Sequence, residues 1–273
     1  VISIIVIGYE MQREIPRTLY SLSREYQRGV EDIDYEVIYI DNGTKPKPDR
    51  PEYCDEYIWI EDADPSPAKA ANLGLATAKG DYIGVILDGA RVVTPGIISL
   101  ANRYQDGVVC TYSYHLGPIH QSRSVHRGYT SEIEDELLDD IDWPSDGYRL
   151  FEISVAAGSN NTGEGGMMTE SCLLFAPRHV FNNVKGYDER YAFPGGGFLN
   201  LDIFYKLTRA NCPLYYVRGE GTFHQVHGGI STGGDVKKGI SSEWYKEYAA
   251  IRGTRIYGQG KGPKLIGQGI RWG

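Results

Sequence analysis

The run Ile2–Ile7 (ISIIVI) is almost wholly apolar and β-branched, and it is broken at Gly8-Tyr9-Glu10. A strand with so little alternation is covered on both faces, as in a parallel sheet flanked by helices. Leu19, Leu22 and Tyr26 recur at helical spacing after Pro16, which predicts a helix over about residues 13 to 27. A second strand, Tyr35–Ile40, ends at Asp41, and a short third strand is expected near Tyr57–Ile60. A helix through Ala68–Ala78 then leads to the strand Tyr82–Leu87, which ends at Asp88. This alternation defines doubly wound α/β folds. Ligands of such sheets lie beyond the carboxyl ends of the strands, so Gly8, Asp41 and Asp88 are expected to converge. An aspartate after a strand also starts turns; two of them in one unit favour function.

Size and charge narrow the reading. A chain of 273 residues suits one large α/β domain. Its 36 acidic against 28 basic residues give a net charge of −8, which argues against nucleic acid as the main partner. No stretch approaches the roughly 18 apolar residues of a membrane span, and Val1 opens directly into a strand without a leader. The chain therefore reads as cytoplasmic, and its lack of an initiator Met as a trimmed chain or a piece of a longer protein; a homo-oligomer is left open. Cys54, Cys110, Cys172 and Cys212 have no metal or redox spacing and read as ordinary thiols. The 34 Gly and 21 Tyr suit loops that close over a polar ligand.

Residues 115 to 157 carry His115, His120, His126, Arg123 and Arg127, then an acidic block of Glu132, Glu134, Asp135, Glu136, Asp139, Asp140 and Asp142. An insertion over the sheet edge is expected, with the acids on a solvated helix face and the histidines at the surface or against an acceptor. Regularity returns in a strand Ser171–Ala176, a helix Arg178–Val184, a helix Leu201–Ala210 with Asp202 in its first turn, and a strand Leu214–Val217. The tail is too rich in glycine to pack by itself.

Lined up, these strand ends resemble the nucleotide-sugar-binding half of GT-A glycosyltransferases, especially the family 2 type. VISIIVIGYE resembles that family's first strand, and YEVIYIDNGT its second, with Asp41-Asn42-Gly43-Thr44 in place of Asp-Asp-Gly-Ser. AKAANLGLATAKGDYIGVILDGARVV resembles the Asn-x-Gly helix, here Lys69, Asn72 and Gly74, and the DxD-like motif, here Asp88-Gly89-Ala90. FAPRHVFNNVKGYDERYAFPGGGFLNLDIFYKL resembles the Gly-Tyr-Asp-Glu turn, the Gly-Gly element and the acceptor-side helix. The resemblance covers most of residues 1 to 210.

It implies a GT-A fold with a mixed, mainly parallel sheet flanked by helices. The implied activity is transfer of a sugar from a UDP- or GDP-sugar to a hydroxyl of a carbohydrate or small polyol. The expected layout is one domain: residues 1–113 for the nucleotide sugar, 114–235 for the acceptor with insertion and lid, and 236–273 as a helix and flexible tail. Gly8, Tyr9, Glu10, Asp41, Lys69, Asn72, Asp88, Gly89 and Ala90 would then surround the donor, with Asp41 reading the base and Tyr9 bordering it. Gly196, Gly197, Asn200 and Asp202 would face the sugar or acceptor, and Asp88 would meet Mn²⁺ or Mg²⁺.

Two positions depart from the pattern. Ala90 replaces the second acid of the metal motif, and His224 or His227, in FHQVHGG, is a candidate replacement. If 222 to 226 is a strand, the two rings point to opposite faces, so at most one is expected to coordinate. Asn200 occupies the usual position of the catalytic base, and an amide cannot take a proton. Asp202 or Glu170 would then serve, or the mechanism is a retaining one without that base. The Gly228–Gly234 loop is the expected lid. The competing readings are a nucleotidyltransferase, which normally has a glycine-rich basic loop after its first strand, and a degenerate glycan-binding domain without catalysis.

Overall fold

The computed structural model describes residues 1–160, 166–229, 240–253 and 262–268. In chain order its elements are β1 (Ile2–Gly8), α1 (Glu14–Ser21), β2 (Tyr35–Asp41), β3 (Glu56–Trp59), α2 (Ala68–Thr77), β4 (Tyr82–Ile86), β5 (Arg91–Val93), α3 (Ile97–Asn102) and β6 (Val108–Leu116). After these come α4 (Gln121–Ser124), α5 (Ser131–Asp140), β7 (Ser154–Ala156), β8 (Leu174–Pro177), α6 (Arg178–Asn183), α7 (Leu199–Thr208), β9 (Leu214–His224), α8 (Ile240–Arg252) and β10 (Lys264–Gly267).

The described strands form one mixed, mainly parallel sheet ordered β10-β9-β6-β8-β4-β1-β2-β3, with β5 on β9 and β7 on β6. β1 pairs in parallel with β2 and β4, and β9 with β6 and β10. β8 runs antiparallel between β4 and β6 and joins the two halves. The unbroken apolar run of β1 now has its reason. Ile2, Ile4 and Val6 enter one buried cluster with Leu19 of α1 and Ile97 of α3, whereas Ile5 and Ile7 enter another with α2, α6 and α7.

The Asn-x-Gly helix is a packing device. A Cβ on Gly74 would lie 2.5 Å from Ile5 Cγ2, so α2 approaches β1 only because that position carries no side chain. Asn72 holds the Gly186-Tyr187 turn from both sides, donating to Tyr187 O (2.9 Å) and accepting from Tyr187 N (2.9 Å). Gly74→Ala is therefore expected to cost about 1–3 kcal/mol by overpacking, read as a lower urea midpoint at unchanged slope.

Several expectations are corrected. α1 stops at Ser21, because Gln27 Nε2 donates to Ser21 O (2.7 Å) and Thr94 O (3.1 Å) and ties the following turn to the β5 side. The segment 115–157 does not cover a sheet edge, since β6 lies inside the sheet and β7 returns to pair with its end. Within the acidic block Glu134 is fully buried, not solvated. Its Oε2 accepts from Val226 N at 2.7 Å, while Arg13 reaches its other oxygen at 3.4 Å. Part of the tail does pack: β10 adds to the sheet alongside Tyr215–Arg218. Residues 254–261 and 269–273 of that tail lie outside the described residues. No described helix is long and apolar enough to cross a membrane.

Candidate functional site

A cleft of about 1030 Å³ opens at the carboxyl ends of β1, β2 and β4. Gly8, Asp88 and Arg91 line it from the sheet, Asn42 and Gly43 from the turn after β2, and Glu170, Gly197 and Asn200 from the far side. Tyr9 and Glu10 also line it; Tyr9 is 51% exposed, and Glu10 takes a left-handed φ of 53° that turns the chain outward.

The chemistry concentrates at Asp88. His224 Nε2 lies 2.9 Å from Asp88 Oδ2, His227 Nε2 lies 3.6 Å from Oδ1, and the two ring nitrogens are 3.1 Å apart. One ligand atom from each residue falls within 4.8 Å of the others. Both histidines converge because β9 ends at His224; beyond it the two-residue alternation no longer holds, so the expectation that only one could face the site is overturned. Register explains the rest, since β5 sets Arg91 opposite His224 and β6 sets His115 opposite it on the other side.

Burial works against a charge on Asp88, but His224 and His227 in their protonated forms and the Arg91 guanidinium outweigh it and hold the carboxyl well below its usual range. Burial, with Arg91 nearby, pushes His224 down to about 4. At neutral pH an uncharged ring thus faces an ionised carboxylate. Its Nδ1–H donates to Gln121 Oε1, so Nε2 carries a lone pair and meets Asp88 acceptor to acceptor. A cation between them resolves that conflict, and one carboxylate with two imidazoles is a donor set that divalent metals accept. The residues fit the metal that the sequence implied.

Ala90 is fully buried, and its carbonyl accepts from Gln225 N at 2.9 Å. The position of the missing acid is therefore inside the packing. Gly89 is closed in as well, since a Cβ there would stand 2.7 Å from Ile7 O. Arg91, which sequence reasoning passed over although it adjoins Ala90, lines the cleft with its guanidinium 3.3 Å from Asp88 Oδ2. Burial opposes its charge, yet Cys172, Asp88 and Glu170 raise its pKa above the ordinary value. Cys172 and Trp244 also line the cleft and had no distinguishing signal in the sequence.

The two candidate bases part company. Glu170 lines the cleft, and Asn200 Nδ2 donates to its Oε2 at 3.1 Å. Asp202 points away and is 1% exposed, with Arg252 Nε and a terminal nitrogen each 2.6 Å from its two oxygens and Lys206 at 3.0 Å. It anchors α8 to α7. Arg252 also reaches Asp188 at 2.9 Å. Arg252→Ala leaves Lys206 as the ion-pair partner of a buried carboxylate, so a loss of about 3 kcal/mol is expected, lowering Tm by about 6–12 °C. The Arg190 hydrogen bond, against burial, and then the Arg252 charge hold Asp188 below the usual carboxylate range. A depressed carboxyl stabilises above its unfolded pKa of about 3.9 and loses that contribution as pH falls. The variant should therefore show a shallower acid limb in Tm against pH.

Asp41 is also turned inward. It is 1% exposed, with Oδ1 accepting from Thr44 N (2.7 Å) and Oδ2 from Tyr39 Oη (3.2 Å); Asn42 and Gly43 reach the cleft instead. Lys69 pairs with Asp64 at 2.7 Å, and neither Lys69 nor Asn72 lines the cleft. Gly196 is buried, while its neighbour Gly197 opens on the cleft. Gly228 and Gly229 line the cleft, and the rest of the expected lid, 230–234, lies outside the described residues.

No family model and no curated protein sequence matches the chain. Solved structures do. S. aureus TarS 1-349 in complex with UDP-GlcNAc has a TM-score of 0.56 at 11% identity, over 92% of this chain and 65% of that one. S. aureus TarS gives 0.52 at 12% identity, over 92% and 42%, and TarS 1-349 in complex with UDP gives 0.50 at 11%, over 83% and 61%. The fold is GT-A-like. The chain spans about three fifths of the 1-349 structures it matches.

Proposed function

We propose that the chain is a glycosyltransferase that moves a sugar from a UDP-sugar to a hydroxyl of a carbohydrate or polyol, with a divalent cation held by Asp88, His224 and His227. The observation that carries this reading is the Asp-His-His group at the end of β4, in a cleft of about 1030 Å³. UDP as the nucleotide is favoured by the UDP and UDP-GlcNAc complexes of the similar structures. Two imidazoles favour Mn²⁺ over Mg²⁺, which prefers oxygen ligands. When bound, such a cation offsets the charge of the departing diphosphate.

The chain's own groups account for the rest. Arg91 adds a fixed positive charge beside the diphosphate. Gly8 and Gly43 let ligand approach the backbone, and Asn42 stands at the cleft wall where the resemblance expected Asp41 to read the base. Glu170, oriented by Asn200, takes the proton of the acceptor hydroxyl as its oxygen attacks the anomeric carbon; the bond to the β-phosphate oxygen breaks and its electrons leave with UDP. The division into a donor half, 1–113, and an acceptor half, 114–235, follows the same reading.

Titration calorimetry with UDP, GDP and their sugars, with and without Mn²⁺, tests it. UDP binding that tightens in Mn²⁺ is the expected result, and no nucleotide binding under any condition overturns it. Glycan binding without nucleotide would instead favour the degenerate domain that Ala90 and Asn200 suggested.

A further inference from the structure

Gln121 is fully buried, at the start of α4, and the sequence offered no reason to single it out. Its amide orientation is forced. Nε2 lies 2.8 Å from His224 O and 3.4 Å from Leu116 O, and carbonyl oxygens only accept, so the NH₂ end must face them. Oε1 is thereby turned toward the rings, meeting His224 Nδ1 and standing 3.4 Å from His115 Nδ1. An amide oxygen also only accepts. The hydrogen of a neutral His224 is consequently on Nδ1, and Nε2 is left as the lone pair that faces Asp88 and His227.

From this we infer that Gln121 is a positioning residue that fixes the His224 tautomer and so makes its Nε2 a metal ligand. The inference rests on the metal-assisted reading above. It also gives the segment after β6 a task. The β6–β9 register sets His115 opposite His224, and the chain leaving β6 turns back into α4 so that one side chain bridges the end of β9 and the end of β6. The turn is held by His120, whose ring nitrogen accepts from Ser122 N at 3.3 Å. Outer partners of ligating histidines typically change metal affinity by about 10–100-fold when removed.

The test needs no turnover. Long-range ¹⁵N–¹H spectra of histidine-labelled, metal-free protein at neutral pH, with His224 assigned by loss of its signals in His224→Asn, report which nitrogen carries the proton. A single Nδ1–H tautomer is expected; a proton on Nε2, or averaging between tautomers, overturns the inference. In Gln121→Leu the single tautomer should be lost and the Kd for Mn²⁺ alone should rise about 10–100-fold. Unchanged affinity in a folded Gln121→Leu would overturn the inference, and should that variant not fold, the wild-type spectrum decides alone. Wild-type protein that binds no Mn²⁺ would sink the metal reading itself, while the spectrum still judges the role of Gln121.

Discussion

Asp88→Asn should lower sugar transfer by about 10²–10³-fold, the scale on which removal of one preorganised electrostatic group from an active site acts. The substitution keeps size and hydrogen-bonding capacity and removes only charge. Asp88 is the carboxylate of the Asp-His-His group; without it two imidazoles and the Arg91 guanidinium remain, a combination with no anionic ligand to attract a cation. Mn²⁺ affinity should fall in parallel with transfer. Metal-free UDP binding should not fall, because the guanidinium now 3.3 Å from Asp88 Oδ2 is released toward the diphosphate. That split separates loss of a cation from loss of fold. Transfer within about threefold of wild type, which is under 1 kcal/mol of transition-state stabilisation, would remove the metal from the mechanism.

The sheet was legible because its strands are buried on both faces and announce themselves as apolar runs. β1, β2 and β4 start within a residue of their sequence-based positions, and each leads to the cleft. β10 was not legible. Its four residues pack only because the edge of β9 offers unpaired backbone, and composition carries no information about that. The cleft was legible at Asp88, which stands two residues past β4 and lines its wall. It was not legible where a strand-end aspartate serves a turn: Asp41 is the last residue of β2 but closes onto Thr44 N. His227 was misjudged because strand alternation was carried past His224, where β9 ends, to a residue three positions beyond it. Gln121 and Arg91 matter through pairs of strands distant in sequence, a relation that one chain read from end to end does not display.

Glu170→Gln carries the other large effect, a drop in transfer of about 10²–10⁴-fold, the range for loss of general base catalysis. Resemblance placed the base at position 200, where this chain has an amide; the structure has that amide donating to Glu170 Oε2 at 3.1 Å. A carboxylate thus occupies the same corner of the cleft, brought by the segment before β8 instead of by α7. Asp202 is no substitute, because both its oxygens are held by Arg252 on the far side of α7. Gln at 170 keeps shape and loses basicity, so UDP and Mn²⁺ affinities should hold while kcat falls, the mark of an interaction made only in the transition state. Adding Asn200→Asp to Glu170→Gln returns a carboxylate to that corner from the other element and should restore part of the lost rate. Full transfer by Glu170→Gln would exclude it as the base, whereas a loss that Asn200→Asp partly reverses would tie the function to a carboxylate at that corner and not to the intact packing of either element.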